Sequence, residues 1–424
     1  MNKKEYIITL IVAFTIILNC NIILSKDINQ SKSSKWTLMY YCGGDEAKEI
    51  IGAQKLIELF ESINYNSNDD INVVALVDYG DAFKGVLMPK QGSDKYEFVI
   101  IETYDELNMG DYNTLKNFIG FCKSNYPADR YFLQIVGHAN GFFAACFDDV
   151  CIDENNDETP NYLTMKEIRL ALEHNSNVDI FATTGCYMGS IECAYEFKDV
   201  TDIYISSEDI YNIIMVPMNI LNNFIILREN PDSTNIEIAE LIIEKLNNNC
   251  PNDFILSAIR TDKISEFKIS FNSFLSYISD EISVYIKKLK RAETYSTKIF
   301  FGRDIYDYFD FIYKKSKTTN INSDLEMYVN LVIDSLDNMI IDNIIGNNNN
   351  FKGLSFFFED DDETEFYSSI DLRFTQDTEW DEYLNQYFSY SEMSLKFKFH
   401  NLFHGFKNIF ISFITSLDSS RFFK

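Results

Sequence analysis

The chain alternates between short, uniformly apolar runs and longer segments whose apolar positions recur every three or four residues. Trp36 to Cys42, Ile71 to Val77, Arg130 to Val136 and Val178 to Thr183 are of the first kind, rich in β-branched and aromatic residues. Between them, Ile50, Leu56, Ile57 and Phe60 keep helical spacing, and Met109 to Asn125 predicts a helix that stops at Tyr126-Pro127. Thr164-x-x-Glu167 is a capping box, in which each side chain satisfies a backbone N–H of the first turn, so a helix starts there and runs to about Glu173. Strands apolar along their whole length must be covered on both faces. That predicts an α/β fold with a largely parallel sheet flanked by helices, with its ligand site beyond the carboxyl ends of the strands.

Beyond residue 250 the pattern turns helical. Asp262 to Leu289, Asp304 to Lys315 and Ser323 to Leu336 carry helix-period apolar positions, Phe254 to Ile259 and Gly353 to Phe358 predict strands, and the acidic run Glu359 to Glu363 predicts a solvated loop. The organisation expected is a first α/β domain over 35–250, a helix-rich C-terminal α/β region over 251–390, and a tail over 391–424. In that tail Leu395, Phe399, Leu402, Phe403, Phe406, Ile409, Phe410, Phe413, Ile414 and Leu417 fall on one helical face. Its five basic and two acidic residues suit either docking on the chain's own surface or an anionic membrane surface.

With 424 residues, 46% of them apolar, the chain can bury a large core. A net charge of −28 and the lack of a Lys/Arg cluster in the main body argue against nucleic acid as a partner. Lys3 and Lys4 followed by the apolar run Ile7 to Leu18 predict an export signal over 1–25, or an N-terminal anchor where the run resumes at Ile22. The expected location is therefore extracellular or at the cell surface. Eight cysteines include no C-x-x-C pair, so a structural zinc site finds no support, and removing Cys20 with the signal leaves an odd number.

Two of the apolar runs end on reactive residues: Val136-Gly137-His138 and Thr184-Gly185-Cys186. A thiol becomes a nucleophile when a neighbouring imidazole takes its proton. Of the four histidines, His174 falls near a helix end and His400 and His404 in the tail, which leaves His138 as the strand-end candidate. The 48-residue interval between His138 and Cys186 is close to the roughly 50 residues that separate His from Cys in caspases. A lone strand-end histidine is also a common structural feature, and spacing alone leaves both readings open.

Tyr126-Pro127-Ala128-Asp129-Arg130-Tyr131 with Val136-Gly137-His138 resembles the histidine block of the clostripain family, and Gly185-Cys186-Tyr187-Met188-Gly189-Ser190-Ile191-Glu192 resembles its cysteine block. Trp36 to Tyr40 with Asp45, Asn108 to Asp111, Ile205 to Asp209, Asp304 to Asp307, Gly353 to Ser355 and Thr378 to Asp381 are similar to further segments of that family, in order. The resemblance implies a caspase-like catalytic domain and a cysteine endopeptidase acting on protein or peptide substrates. Cys186 would be the nucleophile, His138 the base, and the backbone N–H groups of Ala139 and Cys186 the oxyanion donors.

The sequence departs from the family pattern twice. Ala139 stands where the family usually has Gly, which matters only if that position needs φ > 0. Thr184 stands where the family usually has an Asp that accepts a basic P1 side chain. A hydroxyl supplies no charge, so strict Arg/Lys preference is expected to weaken, with Glu208 or Asp209 as substitutes from the following strand. Strand alternation would let one of the two face the pocket. Two rivals follow from these departures and from thiol chemistry in general: a caspase-like binding protein with impaired catalysis, and a thiol amidase or transpeptidase. No cofactor is required. Some relatives use calcium, but Asp153-x-Asn155-x-Asp157 has Glu158 where a calcium loop needs Gly, so an acidic surface loop is the simpler reading.

Some clostripain relatives cut themselves after a basic residue between the two blocks. Tyr131 to Met165 contains no Lys or Arg, so the active chain is expected to stay whole there. Mass-spectrometric mapping of termini checks this, and a new terminus between Tyr131 and Met165 that vanishes in Cys186→Ala would contradict it.

Overall fold

The computed structural model describes residues 33–43, 53–78, 82–152, 160–317, 323–345, 351–359 and 361–391. The expected export segment, Asp45, the acidic stretch 153–158 and the tail beyond 391 lie outside the described residues. Among the described residues no helix is long and apolar enough to cross a membrane. The chain divides into two compact units: one takes residues up to Gly185 with Val200–Ile205 and Asn212–Cys250, the other Cys186–Asp199, Ser206–Tyr211 and everything from Pro251.

In the first unit the apolar runs become strands. They are β1 (Ser34–Cys42), β2 (Ile71–Asp78), β3 (Ala82–Pro89), β4 (Tyr96–Tyr104), β5 (Ala128–Val136), β6 (Ala145–Ile152), β7 (Pro160–Leu163), β8 (Val178–Thr183) and β9 (Thr201–Ser206). Seven of them lie in the order β9-β8-β5-β1-β2-β3-β4, with β9 through β2 parallel and β3 and β4 added antiparallel, while β6 and β7 pair with each other as a separate antiparallel ladder. The sheet is thus largely parallel, as expected, and the antiparallel hairpin is an addition that the reading of the apolar runs did not include. Leu38 on β1, paired with Val73 and Phe132, is fully buried, as continuous apolar strands covered on both faces require.

The helices begin where their caps dictate. Thr164 and Glu167 complete the capping box of Met165–His174. The helix expected from Met109 starts instead at Tyr112, because Asp111 caps it by accepting from Asn113 N–H. Arg130, in the block around Pro127, is structural: its guanidinium lies 4.1 Å from the Trp36 ring centre and donates to Pro231 O at 2.6 Å.

The second unit holds β10 (Leu256–Arg260), β11 (Lys298–Ile299), β12 (Gly302–Asp304), β13 (Ile340–Ile344) and β14 (Ser355–Phe357), with β10 and β13 antiparallel and β12 between β11 and β14. Two expectations change here. The helix predicted over Asp262 to Leu289 breaks at Glu281 into Ile264–Asp280 and Ile282–Tyr295, since negative charge disfavours a helix carboxyl end and suits an amino end. The acidic run is not all loop, because Asp361–Ser369 is helical and exposed Glu363 falls in its first turn, where the helix dipole favours it.

Trp380 anchors this unit's core. It is fully buried, stacks on Phe356 at 4.7 Å and donates its indole N–H to Phe357 O at 2.9 Å. Trp380→Ala removes the ring and orphans a buried carbonyl, so it is expected to cost about 3–5 kcal/mol. Urea unfolding followed by circular dichroism measures it, and a cost below about 1 kcal/mol would show that this cluster does not hold the unit together.

Candidate active site

In the first unit, β5 and β8 pair in parallel up to Ile135 and Thr183, and Thr184 N–H extends the ladder to Ile135 O at 3.1 Å. Past their carboxyl ends Gly137 N–H donates to Thr184 Oγ1 at 3.4 Å. Gly137 is a steric necessity, because a Cβ there would sit 2.5 Å from Gly43 O. His138 follows, half-buried, at the mouth of a tight hairpin. Cys146 N–H donates to His138 O at 2.9 Å, Asn140 N–H to Ala144 O at 2.9 Å, and Gly141 takes φ +59° at the tip.

Ala139 bridges Ala145 in this hairpin and is not among the described residues with positive φ, so its Cβ carries no backbone strain. Thr184 is 4% exposed, and its hydroxyl serves the His138 turn rather than open solvent. A cavity of about 630 Å³ in this unit lies at the amino ends of these strands, lined by Lys123, Tyr131, His174, Val178, Asp179 and Asp202. Strand polarity in α/β sheets favours the opposite end, where His138 and Thr184 sit.

In the second unit Cys186 is half-buried. Burial pushes its thiol above the usual 9.0, the backbone N–H of Tyr211 draws it back, and the charge of Asp209 adds to the rise. Tyr187 adopts φ +61°, which costs a side-chain-bearing residue of order 1–2 kcal/mol. Its ring stacks on Phe300 at 5.2 Å and packs against Ile255, Ile299 and Phe351. Tyr187 N–H donates to Asp209 O at 3.0 Å and Gly189 N–H to Ser207 O at 2.6 Å, so the residues after Cys186 are laced to the segment after β9.

Glu208 and Asp209 lie beyond β9, which ends at Ser206, and not on the strand itself as expected. What separates them is therefore loop geometry and not alternation. Glu208 is fully buried, its Oε1 accepting from Gly353 N–H at 2.8 Å, while Asp209 keeps partial exposure. Tyr187, Ser207, Asp304 and Gly353 have roles that the sequence reading missed. The φ of +109° at Gly353 was foreshadowed only by the glycine itself.

Asp78, Glu106 and Asp148 in the first unit bring carboxylate oxygens within 4.8 Å of one another. Asp78 accepts from Leu107 N–H at 3.2 Å and Asp148 from Met109 N–H at 2.8 Å. All three offer the hard oxygen donors that calcium takes, though fewer than the six to eight it needs. Among the described cysteines, Cys122, Cys146 and Cys186 are free thiols.

The architecture is that of solved C11 cysteine proteases. A secreted C11 cysteine protease from Bacteroides thetaiotaomicron, in complex with an irreversible peptide inhibitor, matches with a TM-score of 0.62 at 16% identity, covering 82% of this chain and 99% of that one. An inactive zymogen C11 protease from Parabacteroides distasonis matches with a TM-score of 0.60 at 17% identity, over the same shares. The model of the clostripain family matches residues 40–387, and the chain belongs to that family. Clostripain from Hathewaya histolytica is 31% identical over 199 residues, 40% of this chain and 37% of that protein, so the match spans well under half of that relative's length.

Gly189 tests the lacing of the cysteine loop. A Cβ there would lie 2.5 Å from Glu208 N, so Gly189→Ala must push the loop off the segment after β9. An active-site displacement of about 1 Å costs about 100-fold, so a loss of that order in peptide hydrolysis is expected with Tm nearly unchanged. Unaltered hydrolysis would show that the lacing does not set the position of Cys186.

Proposed function

We propose that this chain is an exported cysteine endopeptidase in which Cys186 and His138 act as a dyad. The observation that carries the reading is that β5 and β8 are parallel neighbours and that each candidate lies two or three residues past the carboxyl end of one of them. In the proposed cycle His138 takes the thiol proton, and the Cys186 sulfur attacks the carbonyl carbon of the scissile bond. The oxyanion is met by the backbone N–H groups of Ala139 and Cys186. The imidazolium then gives its proton to the leaving amine, and water, deprotonated by His138, hydrolyses the thioester. This chemistry draws on no cofactor. Calcium would serve as a structural ion, with Asp78, Glu106 and Asp148 as its first ligands. Export rests on the N-terminal sequence pattern, and contact with a membrane surface on that segment or the basic amphipathic tail.

Because burial raises the thiol pKa, a base is needed for reaction at neutral pH. Iodoacetamide should label Cys186 at pH 7 in the native protein, whereas in His138→Ala labelling should require pH above about 9. Equal labelling of both at pH 7 would contradict the dyad, and an inert Cys186 in both would favour the binding-protein reading. Release into amine acceptors in place of water would favour the transpeptidase reading.

For P1, the partly exposed carboxylate of Asp209 is the proposed source of the charge that Thr184 lacks. A preference for Arg over Asn, Asp and apolar P1 residues of about tenfold is expected, abolished in Asp209→Asn and strengthened in Thr184→Asp. Peptide-library hydrolysis measures it, and a strong Arg preference that survives Asp209→Asn would contradict this pocket.

A further inference from the structure

Glu208 and Asp304 are both fully buried in the second unit. Two consecutive backbone amides hold them side by side: Lys352 N–H donates to Asp304 Oδ2 at 2.5 Å and Gly353 N–H to Glu208 Oε1 at 2.8 Å. Asp304 Oδ1 accepts from Asp307 N–H at 2.7 Å. That leaves Glu208 Oε2, which is buried and meets no N–H or hydroxyl donor among the described residues. A buried carboxylate oxygen without a donor is costly, and the group facing it is the Asp304 carboxyl.

We propose that Glu208 and Asp304 share a proton, and that this neutralised pair is the positioning device that holds residues 206–211 under the Cys186 loop. The proton supplies the donor that Glu208 Oε2 otherwise lacks. Glu208 is then tied at both oxygens, and the residues on either side of it, Ser207 and Asp209, present the carbonyls that receive Gly189 and Tyr187 N–H. The chain pinned by the pair is thus the chain that positions the nucleophile loop. This rests on the reading of Cys186 as nucleophile only for its effect on catalysis.

The other charged groups facing the pair are carboxylates as well, Asp307 toward Asp304 and Asp209 toward Glu208, so none of them favours ionisation. Burial raises both members of the pair, Asp304 to about 7. The sign follows directly. Unfolded carboxyls lose their protons near 4, whereas burial keeps a proton on the folded pair to a pH well above that. The proton's contribution to stability is complete below about 4 and drains away as pH rises through the raised range of the folded pair. Beyond that point two like charges face each other in the core, and the segment after β9 loosens. Glu192, buried and raised to about 7, adds a similar dependence of its own.

Glu208→Gln replaces the shared proton with an amide N–H that does not titrate, while Gln Oε1 still accepts from Gly353. Tm of the full chain from pH 5 to 8.5 is expected to fall with pH in the wild type and to fall less steeply in Glu208→Gln. The alkaline midpoint of kcat/KM should move up by about one unit. Identical Tm–pH slopes would overturn the shared proton. A changed Tm slope with an unchanged alkaline midpoint would overturn the positioning role. Should Cys186 not be the nucleophile, the Tm comparison still stands. If Glu208→Gln fails to fold, Asp304→Asn places an amide on the other side of the same contact and gives the same comparison.

Discussion

The His138 turn depends on a close approach of backbone at the carboxyl ends of β1, β5 and β8. Gly43 N–H bonds to Val136 O at 3.0 Å, and Gly137 passes Gly43 O with no room for a Cβ. Only with that approach can Gly137 N–H reach the Thr184 hydroxyl and the His138 hairpin fold back through Cys146. Thr184 is then more than a missing Asp. Its hydroxyl locks two strand ends together with a neutral group, and a carboxylate there would exchange some of that lock for charge in a nearly dry place.

The second unit solves a related problem by other means. The loop after Cys186 contains a left-handed tyrosine, and its strain is held by a ring stack on Phe300 and by hydrogen bonds to the segment after β9. That segment carries a buried acid whose partner is another acid, reached through the amides of Lys352 and Gly353. Rigidity of the Cys186 loop is therefore assembled from parts far apart in sequence.

This explains which features could be read in advance. The parallel strands and the helix after Thr164 announce themselves locally, through apolar runs and a capping box, and they emerge within a residue or two of expectation. The β3–β4 hairpin does not announce itself, because Lys84 and Gly85 interrupt β3 and charged Glu97 and Glu102 leave β4 only the short apolar run Phe98 to Ile101. Glu208 and Asp304 are 96 positions apart, and nothing local says that they meet. The acidic character of Glu208 suggested a substrate contact, and burial, which sequence does not show, redirects it inward. The break at Glu281 is a one-residue event inside an otherwise continuous helical pattern.

The central claim is that acyl transfer passes through the sulfur of Cys186. Rapid acid quenching during turnover of an activated peptide ester, followed by mass spectrometry of the digested protein, examines that directly. The account predicts an acyl group on the peptide containing Cys186 in the first turnover, and neither adduct nor product in Cys186→Ala. Turnover that persists in Cys186→Ala, or an acyl group found on another residue, would contradict it.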